Sequence, residues 1–510
     1  MAESLGLTCA QEELLVGLMP LGALSASLVA HHSLSLLGRK VTIQITALVF
    51  TGGALVMALS PGLGLLLFGR FVVGFAVSLS AMAECLYISE ISDKENRGLL
   101  VSLNELGITL GFLLAYIVNY IFMEVEDGWR YMFGLSSVLS VSQLLALSLL
   151  PPTPHFLVMR QRDTEAAKVL AKMRGSGAGV RQEVANIRAS CLEAEHVSCS
   201  SLFSSEDNLR GRLFLALGLV TLQQLTGQPN ILYYATDVFQ AVGFCGPELA
   251  SVAAVGLGLV KVLATVVALC LVDRLGRRTL LLAGVSLMAA ALLCLVVFAG
   301  YQHHVSLHVT GPLEQHVTCV HYNSTITEHS SLFLRHNGSR EGAASCQENN
   351  LPAALRYGAF AAIVTFVAAY SVSFGPVTWV LLSELFPLGY KGHAMSLGQA
   401  VNWTANVFVS VTFLDAVRIF SLPVIFLFYL VMCIVSLAFV YLWVPETRNK
   451  TLEQISRDLK KSPRLFKGGG SACWQKLRSF GFLKGRRSGE EQRRPQQFVR
   501  LEEEPVGNDR

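Results

Sequence analysis

Charge is what this chain has least of. Asp, Glu, Lys and Arg make up 15% of its 510 residues, against roughly 25% in a soluble globular protein. Hydrophobic residues make up 52%, so a water-soluble domain is excluded. Its 11 cysteines form no CxxC pair, which excludes a zinc ribbon or a dithiol redox motif. Most of them lie inside apolar runs, where Cys acts as a small hydrophobe. No basic stretch precedes an apolar segment at the N-terminus, so no cleavable signal peptide is read there. A Walker loop, a nucleotide motif and a nucleophile elbow are all missing. Gly175-Ser-Gly-Ala-Gly179 follows no strand and is read as a hinge. Nothing favours an enzyme, a cofactor or a nucleic-acid partner, and the net charge of +4 is small.

What the chain has instead is apolar runs of about 20 residues, the length that spans a bilayer. Eleven are read, near 12–36, 41–60, 64–89, 99–122, 130–150, 212–240, 248–272, 279–301, 354–383, 394–416 and 421–444. Bases concentrate in the turns after the first, third, fifth, seventh, ninth and last runs, which predicts that those turns and the C-terminus face the cytosol. The opposite side agrees. Residues 302–352 carry the sequons Asn323-Ser-Thr and Asn337-Gly-Ser, so that loop is expected outside and glycosylated. Asn402-Trp-Thr is a third sequon, but it sits in an apolar run and is expected to be unmodified. Cys319 and Cys346 share the outer loop, either as a disulfide or as two free thiols. The expected organisation is a five-span bundle over 1–150, a cytosolic linker over 151–211, a six-span bundle over 212–446 and a cytosolic tail over 447–510, mostly disordered after 450. In the linker, Asp163 starts a helix through Arg174, and Val184, Ile187 and Leu192 mark a second amphipathic piece.

The two bundles repeat each other. Glu90-Ile-Ser-Asp-Lys-Glu-Asn-Arg97-Gly98 returns as Glu384-Leu-Phe-Pro-Leu-Gly-Tyr-Lys391-Gly392, an acid seven residues before a base and then Gly. Leu37-Gly38-Arg39-Lys40 returns as Leu275-Gly276-Arg277-Arg278. Paired membrane halves with a site between them are the plan of secondary transporters.

Arg70-x3-Gly74, Gln223-Gln-Leu-Thr-Gly227 with Tyr233-Tyr234, Asp273-Arg-Leu-Gly-Arg-Arg278, Gly375-Pro376-x2-Trp379, Ser383-Glu-Leu-Phe-Pro387 and Pro445-Glu-Thr-Arg448 together resemble the facilitative hexose transporters, the sugar porters of the major facilitator superfamily. The resemblance covers about 12–455. The long loop before Gly375-Pro376 resembles the subclass with a large glycosylated loop between helices nine and ten. It implies an all-α membrane protein of the major facilitator fold, carrying a sugar by alternating access on the solute gradient or on protons. It also implies twelve helices, of which the first is missing here.

The implied sugar contacts are Gln223, Gln224, Asn230, Trp379, Asn402, Trp403 and Asn406. Amides supply donors and acceptors to hydroxyls, and indoles supply a ring face. The family's Asn falls at Pro229, one position before Asn230. Glu105 and Lys261 stand where the family has Gln and Asn. Charges at membrane depth usually find a partner, so the two are expected to pair across the cavity or to be hydrated separately. Arg70, Glu90, Arg97, Asp273, Arg277, Arg278, Glu384 and Lys391 are expected as latches holding the two halves together at their cytosolic faces. The first half departs from the family pattern: its Asp is Ser35, and Pro-Glu-Ser-Pro-Arg becomes Pro151-Pro-Thr-Pro154-His155. His31 and His32 are adjacent and point to different helix faces, so no metal is expected from that pair. Two further readings stay open. One is a truncated inactive or regulatory isoform. The other is a carrier of a different small solute, such as urate, dehydroascorbate or an organic ion.

Overall fold

Apolar residues on every side of a helix mark one that is buried or surrounded by lipid, and the chain folds accordingly. The computed structural model describes residues 5–92, 97–174, 178–195, 202–204, 206–244, 246–310 and 353–448, with a few positions between 454 and 459. The glycosylation candidates Asn323 and Asn337, the thiols Cys319 and Cys346 and the tail beyond 459 lie outside them. No strand occurs among the described residues.

The first half holds α1 (Cys9–Leu37), α2 (Arg39–Ala58), α3 (Leu63–Ile91), α4 (Arg97–Phe122) and α5 (Gly128–Ser148). Three short helices follow, α6 (Pro154–Met159), α7 (Asp163–Arg174) and α8 (Ala178–Glu195). Leu157, Val158, Ala166, Leu170 and Ile187 give these three a small core of their own. The second half holds α9 (Leu209–Leu225), α10 (Gln228–Tyr233), α11 (Ala235–Ala241), α12 (Pro247–Leu275), α13 (Arg277–Thr310), α14 (Ala353–Val372), α15 (Phe374–Leu385), α16 (Leu388–Val411), α17 (Phe413–Phe420) and α18 (Leu422–Trp443).

Nine stretches among the described residues are long and apolar enough to cross a membrane, with α14 and α15 taken as one, and the α16–α17 pair, bent by 43°, makes a tenth. The single run expected over 212–240 is instead three short helices. Gly227, at φ 85, and Pro229 interrupt it, because a left-handed residue and a missing N–H cannot continue a helix.

Close helix crossings explain two glycines. A side chain on Gly22 of α1 would collide with the Phe71 carbonyl of α3, and one on Gly74 would collide with the Met19 carbonyl of α1. Small residues let backbones approach where hydrophobic driving force is weak, so the Gly of Arg70-x3-Gly74 serves packing. The halves meet where α1 lies on α16 and α4 lies on α12.

Candidate functional site

The interruption of the chain at 226–229 is what builds the site. Helix ends leave backbone groups without intrahelical partners, and amide side chains collect around them. Gln223 and Gln224 close α9, both buried. Gln223 Nε2 donates to the Phe374 carbonyl at 3.0 Å, at the start of α15. That helix is separated from α14 by the single non-helical residue Ser373. Asn230 Nδ2 donates to the Val409 carbonyl at 3.1 Å and to Tyr429 Oη at 2.7 Å. Tyr234 Oη donates to the Ser410 carbonyl at 3.1 Å. Asn230 and Tyr234 thus satisfy the last carbonyls of α16 just before it bends into α17, and that allows a bend inside a low-dielectric bundle.

The next layer is a chain of amides. Gln224 Nε2 donates to Asn402 Oδ1 at 2.5 Å, and Asn406 Nδ2 donates to Gln224 Oε1 at 3.2 Å. Tyr233 Oη reaches Asn406 Oδ1 at 3.4 Å. Asn402 and Asn406 stand one turn apart and both are buried. Not every polar atom in this region is matched. Gln223 Oε1, Asn230 Oδ1, Trp403 Nε1 and Thr378 Oγ1 are buried with no hydrogen-bond partner in the protein. A buried polar group without a partner costs about 1–3 kcal/mol. Trp379 is half-buried and packs against the core of the second half.

Two charges meet this region from opposite halves. Lys261 of α12 is 4% exposed. Its ammonium lies 5.2 Å from the Phe112 ring centre and 5.9 Å from that of Tyr370. Glu105 of α4 acts on it electrostatically, and it on Glu105, but no ion pair within 4.0 Å joins them among the described residues. The Glu105 carboxylate lies beside Gly375, 3.8 Å from where a side chain there would begin.

The latch residues are arranged differently from the expectation. Glu90 pairs with Arg39 at 2.7 Å, and Glu384 with Arg277 at 3.1 Å. Each pair lies within one half, so neither bridges the two. Arg278 Nη2 donates to the Tyr441 carbonyl at 2.7 Å, also within its half. Arg70 is not at this end at all. It sits two turns into α3, about 30 Å along the helix from Glu90 at 1.5 Å per residue, under the Phe133 ring at 5.0 Å. Of Arg97 and Asp273 only the backbone is described. Lys391 stands in the first turn of α16.

Several partners of the site lie outside the residues expected from the sequence. Arg39 was visible as the counterpart of Arg277 in the repeated Leu-Gly-Arg motif. Glu446 was visible only as part of Pro-Glu-Thr-Arg. Its carboxylate accepts from the backbone of Arg277 at 3.0 Å and of Arg278 at 3.2 Å, at the N-terminus of α13. Tyr370 and Tyr429 carried no signal in the sequence.

The family model described as sugar (and other) transporter matches residues 5–313 and 339–459. The chain belongs to that family. Among similar proteins, human solute carrier family 2, facilitated glucose transporter member 10 is 39% identical over 490 residues, covering 89% of this chain and 88% of that one. Human member 12 is 38% identical over 496 residues, covering 90% and 80%. Among solved structures, the proton:xylose symporter XylE bound to 6-bromo-6-deoxy-D-glucose superposes with a TM-score of 0.68 at 25% identity, covering 88% of this chain and 89% of that one. Inward-open XylE from E. coli gives 0.65 at 25% identity, with the same coverage. The chain is therefore a multi-pass membrane protein of the sugar transporter family, with the all-α major facilitator fold.

Proposed function

We propose that this sugar transporter carries a hexose-like solute by alternating access. Gln223, Gln224, Asn230, Asn402, Trp403 and Asn406 take the sugar, and Glu105 and Lys261 close over it from opposite halves. The observation that carries this reading is the presence in the second half of buried polar atoms with no protein partner, Gln223 Oε1, Asn230 Oδ1 and Trp403 Nε1, together with a buried ammonium that faces two aromatic rings. A sugar hydroxyl both donates and accepts, so it satisfies the amide oxygens and the indole N–H alike. Pockets of this kind combine apolar walls with a few placed polar groups. On this reading the end bearing Arg39, Glu90, Arg277 and Glu384 faces the cytosol, and the loop 302–352 lies outside with glycans on Asn323 and Asn337. The driving force is the solute gradient, or protons as in the symporter it superposes on.

Radiolabelled hexose uptake in proteoliposomes of the purified chain, with and without an inward pH step, tests this. Uptake that rises with the sugar gradient supports a carrier, and a further rise with the pH step adds proton coupling. No uptake under either condition overturns the reading in favour of an inactive or regulatory isoform. Lys261 favours one second reading, a carrier of an anionic or strongly accepting solute. Urate or dehydroascorbate that is transported while hexose is not would establish it.

A further inference from the structure

His31 of α1 and His393 of α16 lie across the seam between the two halves, with ring centres 4.2 Å apart and planes tilted by 35°. The pair sits at the base-rich end, His31 near the end of α1 and His393 near the start of α16. His31 is exposed and His393 half-buried, so the site is open to solvent. A side chain on Gly392 would begin 3.9 Å from His31 Nδ1, an ordinary contact distance. The titratable neighbours acting on His31 are His393, Arg39 and His32. Arg39 is held by Glu90 at 2.7 Å, and Lys391 stands two residues before His393. Neither guanidinium nor ammonium competes for a metal, although both weaken its binding.

We infer that His31 and His393 form a transition-metal site of the Zn²⁺ class that bridges the two halves. Neutral imidazole is among the commonest metal ligands. Zinc binds His nitrogens at about 2.0–2.1 Å in tetrahedral geometry, which places two ligating nitrogens roughly 3.3 Å apart. Rings already in contact reach that spacing by side-chain rotation, and water fills the other two positions. The bridge exists only while the halves are closed at this end. Metal at ten times its dissociation constant therefore multiplies the closed-to-open ratio by about eleven, and by linkage closure tightens metal binding equally. His32, on another face of α1, takes no part.

Metal binding is independent of the sugar reading; the effect on transport rests on it. The full chain carries further histidines in 302–352, so the test is a difference. Equilibrium dialysis with ZnCl₂ at pH 7.5 is expected to give one more equivalent for the wild type and His32→Ala than for His31→Ala or His393→Ala. That equivalent disappears below about pH 6, as imidazoles protonate. His31→Gln, which keeps a polar side chain, replaces His31→Ala if the latter does not fold. Equal stoichiometry in all variants, or loss in His32→Ala, overturns the site. In proteoliposomes, Zn²⁺ on the side of the base-rich end, at ten times its dissociation constant, should lower hexose exchange severalfold, up to about elevenfold where the open state is already the minor one, in wild type and not in His31→Ala. Unchanged wild-type flux with metal bound overturns the clamp while leaving the site. Absence of flux without metal is a failure of the sugar reading alone.

Discussion

Gly38 and Gly276 open equivalent turns in the two halves, at φ 78 and 90. Each is followed by an arginine that reaches an acid in a neighbouring helix. What covers the glycine differs. Over Gly276 lies the Glu446 carboxylate, which also accepts from the backbone of Thr447 at 3.0 Å and Arg448 at 3.1 Å. Over Gly38 lies the Phe156 ring. The reason is in the sequence, where Pro445-Glu446-Thr447-Arg448 has the counterpart Pro151-Pro152-Thr153-Pro154. The first half ties its turn by other means, with Arg160 Nη2 on the Leu36 carbonyl at 2.5 Å and Lys40 Nζ on the Leu150 carbonyl at 2.6 Å. One turn geometry can thus be held by a carboxylate on a helix N-terminus or by a ring and two long bases. The halves also divide the labour at the site, for the amide network lies wholly in the second half, and the first contributes Glu105 and Phe112.

The largest expected effect falls on what the halves share. Arg39→Ala and Arg277→Ala each leave a mostly buried carboxylate unpaired, at a cost of about 3 kcal/mol. Similar losses in thermal unfolding would support equivalence, whereas a loss in one half alone would break it. Next come the glutamines. Gln223→Leu and Gln224→Leu each remove hydrogen bonds worth about 1–3 kcal/mol, which lowers hexose uptake by roughly 5- to 150-fold. Ser27→Ala, which breaks a buried contact to Ser78 in the first half, leaves uptake near wild type. Unchanged flux in both leucine variants would remove the second half's claim to the site. Glu446→Gln weakens charge-assisted bonds at α13 and costs about 2 kcal/mol, and high salt should narrow the gap to wild type. Phe156→Leu lowers stability in the first half with no salt dependence.

The smallest effect joins the halves. A hydrogen bond to Glu248, with the repulsion between the two carboxylates, holds the Glu124 carboxyl above the ordinary range. A raised carboxyl pKa means that the contact is made at low pH and lost as pH rises through it. Both residues are exposed, so screening keeps the effect small. Glu124→Gln should flatten the pH dependence of α4–α12 cross-linking above the ordinary carboxylate range. A profile identical to wild type would remove this contact.

The helical nature of the chain, its repeated halves and its family were legible in the residues, because apolar length and turn chemistry are local properties. Gln223, Gln224, Asn402 and Asn406 were legible through the resemblance, and the structure joins Gln224 to both asparagines in one network. The broken helix at 226–229 was half legible, since a proline such as Pro229 lacks the N–H that continues a helix, but the apolar run on either side read as one span.

Who pairs with whom belonged to tertiary structure. Glu90 and Glu384 were visible as acids, yet their partners turned out to be Arg39 and Arg277 of the same half. Arg70 read as an inner latch until the length of α3 placed it at the other end. Glu105 and Lys261 were expected to pair or to stand apart, and the rings of Phe112 and Tyr370 face the ammonium, with no ion pair within 4.0 Å between the two among the described residues. Local sequence sets the period of a helix and where it stops. The rotation and slide of one helix against its neighbour are set by the fit of many side chains at once, and those decide which charge lies within reach of which.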